Sequence, residues 1–164
     1  MMQPTAPMEP TYNYAGPAIS TAPAPTITDF FFPTVKFGTA LNGFTFPIQI
    51  RIIGKVPEKG DRFEVNFVTS SDTAFHFNPR FKEKVIVRNN TSGGKWQHEE
   101  RSPKGNPFEK NKIFVLDFDA QKTHVNVRLN GKDITQFAFR DNSNSIVGLD
   151  IQGDIELTLV SLIR

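Results

Sequence analysis

The sequence predicts an all-β chain folded as a two-sheet antiparallel β-sandwich, and three observations carry that prediction. Sixteen phenylalanines stand against one tryptophan, two tyrosines and three methionines, a bias toward rings that sit well on a pleated, half-buried surface. From Phe30 onward, short runs alternating apolar with polar residues recur roughly every ten residues, broken by Gly, Asn, Asp and Pro, which is the spacing of a sandwich. No stretch carries a convincing helical period.

Before Asp29 the chain holds one charged residue, Glu9, and six of the twelve prolines. Its large apolar groups are too few to offset the entropy of ordering, so residues 1–28 are expected to be a disordered Pro/Ala/Thr-rich tail. Its plainer reading is an inert flexible leader, and its sharper one a self-association or partner-binding segment in which Tyr12, Tyr14 and the prolines are adhesive. Residues 29–164 then form one domain, a length suited to a single substantial core.

Strands are expected over 35–37 and 46–53, parted by Leu41-Asn42-Gly43, and over 63–69 after the turn Glu58-Lys59-Gly60-Asp61. A strand over 74–78 is marked by the strict alternation of Phe75 to Phe81. Ser92-Gly93-Gly94 separates 84–89 from 95–101. Strand 108–117 follows, then 124–129 and 133–139 around Asn130-Gly131, the strongest hairpin signal in the chain. Gln152-Gly153-Asp154 parts 145–152 from 154–162. The parity of these runs buries Phe63, Val65, Phe67, Phe75, Phe77, Ile113, Val115, Val125, Val127, Leu129, Ile134, Phe137, Ile155, Leu157 and Leu159 between the sheets.

Bulk chemistry narrows the function. A net charge of +2, with cations interspersed among acids, lacks the basic block that neutralises many phosphates, so nucleic acid is not the expected partner. Without cysteine there is no disulfide, thiolate nucleophile or sulfur ligand, and three scattered histidines make no metal cluster; no metal and no cofactor are expected. The N-terminus has no basic start or unbroken apolar run, and no stretch is apolar over a membrane-spanning length. A cytoplasmic location without membrane insertion is the expectation.

The densest chemistry lies in FHFNPRFKEKVIVRNNTSGGKWQHEERS. If Phe75, Phe77 and Phe81 face the core, then His76, Asn78 and Arg80 face outward: a ring donor or acceptor, an amide and a guanidinium fork in a row. On the next strand Val87 and Asn89 share a face. Past the Gly-Gly turn, Trp96 offers a flat indole, and Glu99 shares a face with Arg101. Hydroxyl groups need directed charged or amide partners, and the C–H face of a sugar ring needs a flat apolar one. Glu99 between Arg80 and Arg101 can hold both forks and still accept hydroxyls.

In order, spacing and identity, His76-Phe77-Asn78-Pro79-Arg80, Val87-Arg88-Asn89 and Trp96-Gln97-His98-Glu99-Glu100-Arg101 resemble the carbohydrate-recognition signature of the galectins. The resemblance extends to IQIRIIG, LNGKDITQFAFR and IVGLDIQGDIELTLVSLI and covers residues 30–164. It implies a jelly-roll sandwich, of the concanavalin A-like lectin kind, that binds β-galactosides such as lactose or N-acetyllactosamine in a concave-sheet groove without metal or catalysis. By the same resemblance His76, Asn78 and Arg80 select the axial 4-hydroxyl of galactose and Asn89 reaches the 6-hydroxyl. Val87 lines the floor and Trp96 stacks on the ring, while Glu99 and Arg101 bind the next sugar together with Arg80. Glycoproteins and glycolipids carrying β-galactosides are the implied partners, with unconventional secretion and nuclear residence as family habits. Homodimerisation and tail-mediated oligomerisation are both left open. Arg88 falls off the ligand face, and the tail resembles the leader of the chimera-type galectin in composition, without its length or repeat.

Other readings carry less. Glycan hydrolysis by Glu99 with Glu100 or Glu109 is disfavoured, because adjacent strand residues face opposite ways and cannot flank one bond. A structural or protein-interaction sandwich with a modified glycan specificity is the alternative, disfavoured by the intact motif. His98 and His124 read as ordinary polar residues, and the overlapping sequons at Asn89 and Asn90 as chance matches. Lys82, Lys84, Lys95, Lys104, Lys110 and Lys112 read as solvating charge.

Overall fold

The computed structural model describes residues 1–11, 13, 15–19 and 22–164. Among the described residues up to Pro25 all are exposed and none lies in a strand or helix. The adhesive role expected of Tyr12 and Tyr14 lies outside the described residues. Thr26 bonds Arg164 through both its amide and its carbonyl, each at 2.8 Å.

Two six-stranded antiparallel sheets enclose the core. In chain order the strands are β1 (Ile27–Phe31), β2 (Phe37–Ala40), β3 (Gln49–Lys55), β4 (Phe63–Val68), β5 (Thr73–Arg80), β6 (Val85–Asn89), β7 (Thr91–Ser92), β8 (Lys95–Trp96), β9 (Glu100–Arg101), β10 (Phe114–Ala120), β11 (His124–Leu129), β12 (Lys132–Ala138), β13 (Gly148–Gly153) and β14 (Glu156–Ile163). One sheet runs β1-β14-β3-β10-β11-β12 and the other β2-β13-β4-β5-β6-β9, with β7 and β8 as a separate hairpin. A single 3-10 turn, Ser143–Ser145, is the one helical element among the described residues. The β-sandwich expected from the sequence is the fold observed.

Phenylalanine dominates the interior. Phe44, Phe63, Phe67, Phe75, Phe77, Phe118 and Phe137 are fully buried. Phe75 of one sheet stacks on Phe137 of the other at 4.8 Å between centroids, and Phe77 meets Phe118 edge-on at 5.2 Å. Each such ring removed from water stabilises the fold by roughly 2–3 kcal/mol. Because side chains alternate along β5, locking Phe75 and Phe77 inward fixes His76, Asn78 and Arg80 on the outer face; a slip of one residue would exchange the two sets.

The hairpin at Asn130-Gly131 forms as expected, with φ of 50° and 83°. Positive φ at both central residues is the type I′ geometry whose twist matches the flanking strands. Other expectations are corrected. The run read as 108–117 becomes a strand only at Phe114, and the inward row is Phe114, Leu116 and Phe118. Ile113 is exposed and Val115 is only half-buried, because two apolar rows compete in NKIFVLDF and the aromatic row took the core. Leu159 is half-buried because a bulge between Leu157 and Leu159 shifts the inward row to Val160 and Leu162. Ile134 is partly buried against the core. The single strand read over 95–101 is two short ones, β8 paired with β7 and β9 paired with β6, since none of its side chains anchors in the interior. β1, read as the end of the tail and an unstructured start, is an edge strand paired with β14 from Ile27↔Ile163 to Phe31↔Leu159.

Candidate functional site

The outer face of the β2-to-β9 sheet carries a groove of about 430 Å³ lined by Arg62, Glu64, His76, Asn78, Arg80, Val87, Asn89, Trp96, Gln97 and Glu99. Seven of the eight side chains singled out in the sequence line it. The eighth, Arg101, stands behind Glu99 and donates from Nε to Glu99 Oε2 at 2.7 Å.

Backbone pairing builds the floor. β5 and β6 are in register with His76 opposite Asn89 and Asn78 opposite Val87, so these four form a block. Val87 is buried beneath them. Each polar member is tied to the protein on one side and leaves capacity on the other. Asn66 Nδ2 donates to Asp150 Oδ1 at 2.8 Å, so its Oδ1 is the acceptor facing His76 Nδ1 at 2.6 Å. His76 Nδ1 therefore carries the proton and Nε2 is left as a lone-pair acceptor. Burial first, and the Arg80 guanidinium second, push the His76 pKa down to about 4, so the ring is neutral at physiological pH. Asn78 Nδ2 donates to the Phe63 carbonyl at 2.8 Å and its Oδ1 accepts from Arg80 Nε at 2.7 Å. That bond fixes the guanidinium in the groove wall. Asn89 Nδ2 donates to the Gln97 carbonyl at 3.1 Å, while its Oδ1 accepts from the Asn90 amide at 2.8 Å and from Arg140 Nη1 at 3.2 Å.

Trp96 is positioned by the β7–β8 hairpin, whose central Gly93 and Gly94 have φ of 60° and 75°. Asp72, from the β4–β5 turn, clamps it: its carboxylate accepts from the Gly94 amide at 2.8 Å, the Thr91 hydroxyl at 2.9 Å and the Gly93 amide at 3.1 Å. These bonds, the Gly94 amide foremost, hold the Asp72 pKa below the ordinary carboxylate value. Trp96 then leans on His76, 4.7 Å between ring centroids, with 57% of its surface exposed.

The charged end differs from the sequence reading in one respect. Glu99 Oε1 lies 3.9 Å from Arg80 Nη2, so Glu99 does sit between Arg80 and Arg101, but a second carboxylate shares the task. Glu83, in the β5–β6 turn, accepts from Arg80 Nη1 at 3.1 Å and from Arg101 Nη1 at 3.4 Å, with Arg62 Nη2 at 4.0 Å. The hydrogen bond from Arg80 lowers the Glu83 pKa. Glu99 and Glu100 face apart as parity required: Glu100 Oε2 accepts from Arg140 and Oε1 lies 3.8 Å from Arg88, away from the groove. No group of three or more His, Cys, Asp or Glu able to hold a metal occurs among the described residues. Asn89 and Asn90, heads of the two sequons, are buried.

Sequence reasoning did not single out Arg62, Glu64 and Gln97 in the groove wall or Asn66, Glu83 and Arg140 behind it. Glu83, three residues from Arg80, was within reach of a spacing argument. Arg140 reaches Asn89 across 51 residues of chain and left no local signal.

The family described as "Galactoside-binding lectin" matches residues 37–162. The chain is 38% identical over 133 residues to a "32 kDa beta-galactoside-binding lectin" of Haemonchus contortus, covering 80% of this chain and 47% of that protein. It is 34% identical over 148 residues to galectin-4 of Homo sapiens, covering 86% and 45%. The chain thus spans about half the length of these curated relatives. Among solved structures, Caenorhabditis elegans galectin LEC-6 superimposes with a TM-score of 0.78 at 31% identity, covering 82% of this chain and 94% of that one.

Proposed function

We propose, for a chain that belongs to the galactoside-binding lectin family of galectins, that the groove binds β-galactosides by hydrogen bonding and stacking, without metal or catalysis. The observation that carries this is the block of His76, Asn78, Arg80 and Asn89: all four are held by protein hydrogen bonds with capacity left over, beside the exposed indole of Trp96. A galactose ring takes the indole on its C–H face. Its axial 4-hydroxyl donates to His76 Nε2 and accepts from Asn78 or Arg80, and its 6-hydroxyl meets Asn89. The neighbouring sugar lies along Arg80, Glu99 and Arg101, with Glu83 holding both arginines from behind.

Retention on immobilised lactose, eluted by free lactose and not by sucrose, is the expected result. Retention that lactose does not reverse would overturn the assignment. Glycoproteins and glycolipids ending in β-galactosides are the proposed partners, met in the cytosol, the nucleus and, after unconventional secretion, outside the cell.

Cross-linking such glycans needs several sites in one assembly. We propose that copies associate through exposed edge strands or through the tail. Sedimentation of the full chain and of a chain starting at Thr26, with and without lactose, separates the two routes. That starting point preserves β1, which truncation after residue 28 would cut.

A further inference from the structure

Arg88 is on the core-facing side of β6. Val87 and Asn89 line the groove, so Ile86 and Arg88 point the other way, between the sheets, and Ile86 is part of the core. An arginine that is only 7% exposed is tolerated when a carboxylate pairs with it and its N–H groups find acceptors. Here that provision is incomplete. Arg88 Nη1 donates to the Gln136 carbonyl at 2.7 Å, its one hydrogen bond among the described residues. Nε is buried without a partner. Glu100 stays 3.8 Å away, its other oxygen held by Arg140 at 2.9 Å, so one carboxylate is divided between two guanidinium groups.

A second orphan lies nearby. Ser102 gives its amide to the Ile86 carbonyl at 3.1 Å, yet its hydroxyl is buried and unpartnered. Both residues line a crevice of two adjoining lobes at the edge of the sandwich, between the 102–107 loop and β12. The lobes, of about 270 and 440 Å³, share Pro103, Asp133, Ile134 and Thr135. Ser102 and Lys104 line the smaller lobe and Arg88 the larger. Of the acids on the walls, Glu100 is shared as described and Asp133 is engaged by Asn126 at 2.8 Å.

We propose that this crevice binds a small carboxylate with an apolar body, the carboxylate on Arg88 and the body over Ile86, Ile134 and Pro103. The planar fork of an arginine matches the two oxygens of a carboxylate. A more highly charged anion such as phosphate meets Glu100 and Asp133 on the same walls. Burial lowers the Arg88 pKa, and an added carboxylate opposes that shift. The site lies on the opposite face of β6 from the sugar groove, so it stands or falls separately from lactose binding.

The test is an amide-resolved NMR titration of the full chain with hexanoate, with hexanamide as the neutral isostere and inorganic phosphate as the anion control. Expected are saturable shifts at Arg88, Ser102 and Thr135 with hexanoate, binding at least about tenfold weaker for hexanamide and for phosphate, and no displacement by lactose. Arg88→Lys keeps the charge and loses the fork, and should weaken hexanoate about tenfold. Should that variant fail to fold, Ile134→Ala trims the apolar wall and should weaken it a few-fold. No shifts, equal binding of hexanoate and hexanamide, phosphate as tight as hexanoate, shifts confined to His76 and Trp96, or undiminished binding in the folded variants would each overturn the proposal.

Discussion

His76, Asn78 and Asn89, on the floor of the groove, are buried in the sheet and bonded to backbone or to neighbouring amides, whereas Trp96, Glu99 and Arg101, on its rim, stand in solvent. Exposure is 6%, 2% and 5% for the first three. It is 57% for Trp96, and the side chains of Glu99 and Arg101 are 37% and 50% exposed. The buried floor is continuous with the phenylalanine core through the alternation of β5, so its geometry is as rigid as the fold. The exposed rim is held by one hairpin and by arginine–glutamate contacts that water screens. Hydroxyl selection and fold stability are thus coupled on the floor and separable on the rim.

Asn78→Ala strikes the coupled floor hardest. It strands the Phe63 carbonyl and frees the Arg80 guanidinium, so stability should fall by about 1–3 kcal/mol and lactose affinity by roughly a hundredfold or more. Urea unfolding and calorimetric titration measure the two together; a loss of binding with unchanged stability would break the coupling.

Acid strikes the floor next. The His76 pKa falls from 6.5 unfolded to about 4 folded. The unfolded chain therefore takes up a proton first, and this contribution to stability is lost as pH falls from about 6.5 toward 4. Its full size is on the order of 3 kcal/mol. Lactose affinity should stay level above that window's lower edge and drop near pH 4, where Nε2 turns from acceptor to donor. The slope in stability should disappear in His76→Gln.

On the separable rim, Trp96→Ala should weaken lactose about tenfold while leaving the thermal midpoint within a degree or two, since the indole is mostly outside the core. A large drop in the midpoint would show that the hairpin supports the sheet. Glu83→Gln should cost only a few-fold in disaccharide affinity and nothing in binding of methyl β-galactoside, because Glu99 remains on Arg101 at 2.7 Å.

The same division explains what the sequence made legible. Phe75 to Phe81 alternates strictly, so the face of β5 and its three outward groups could be read from residue identity alone. The fold class followed from repeated short runs and from turns such as Asn130-Gly131. Parity failed in NKIFVLDF and at Leu159, where consecutive apolar residues fit either face and a bulge decided. β1 was hidden because an edge strand with one inward ring, Phe30 on Phe37 at 5.1 Å, shows no alternation. Within the site, Arg62 and Arg140 arrive by turn geometry and distant strands, which a local string does not encode.

Asp72 never enters the groove, yet its three hydrogen bonds settle whether the indole is a fixed shelf or a moving one. Were Ser92 to Lys95 to order only when sugar arrived, each residue would cost about 1–2 kcal/mol. That sum rivals the roughly 4 kcal/mol available to a ligand of millimolar affinity. With the shelf set at folding, a weak ligand keeps its binding energy and meets its platform at the speed of encounter.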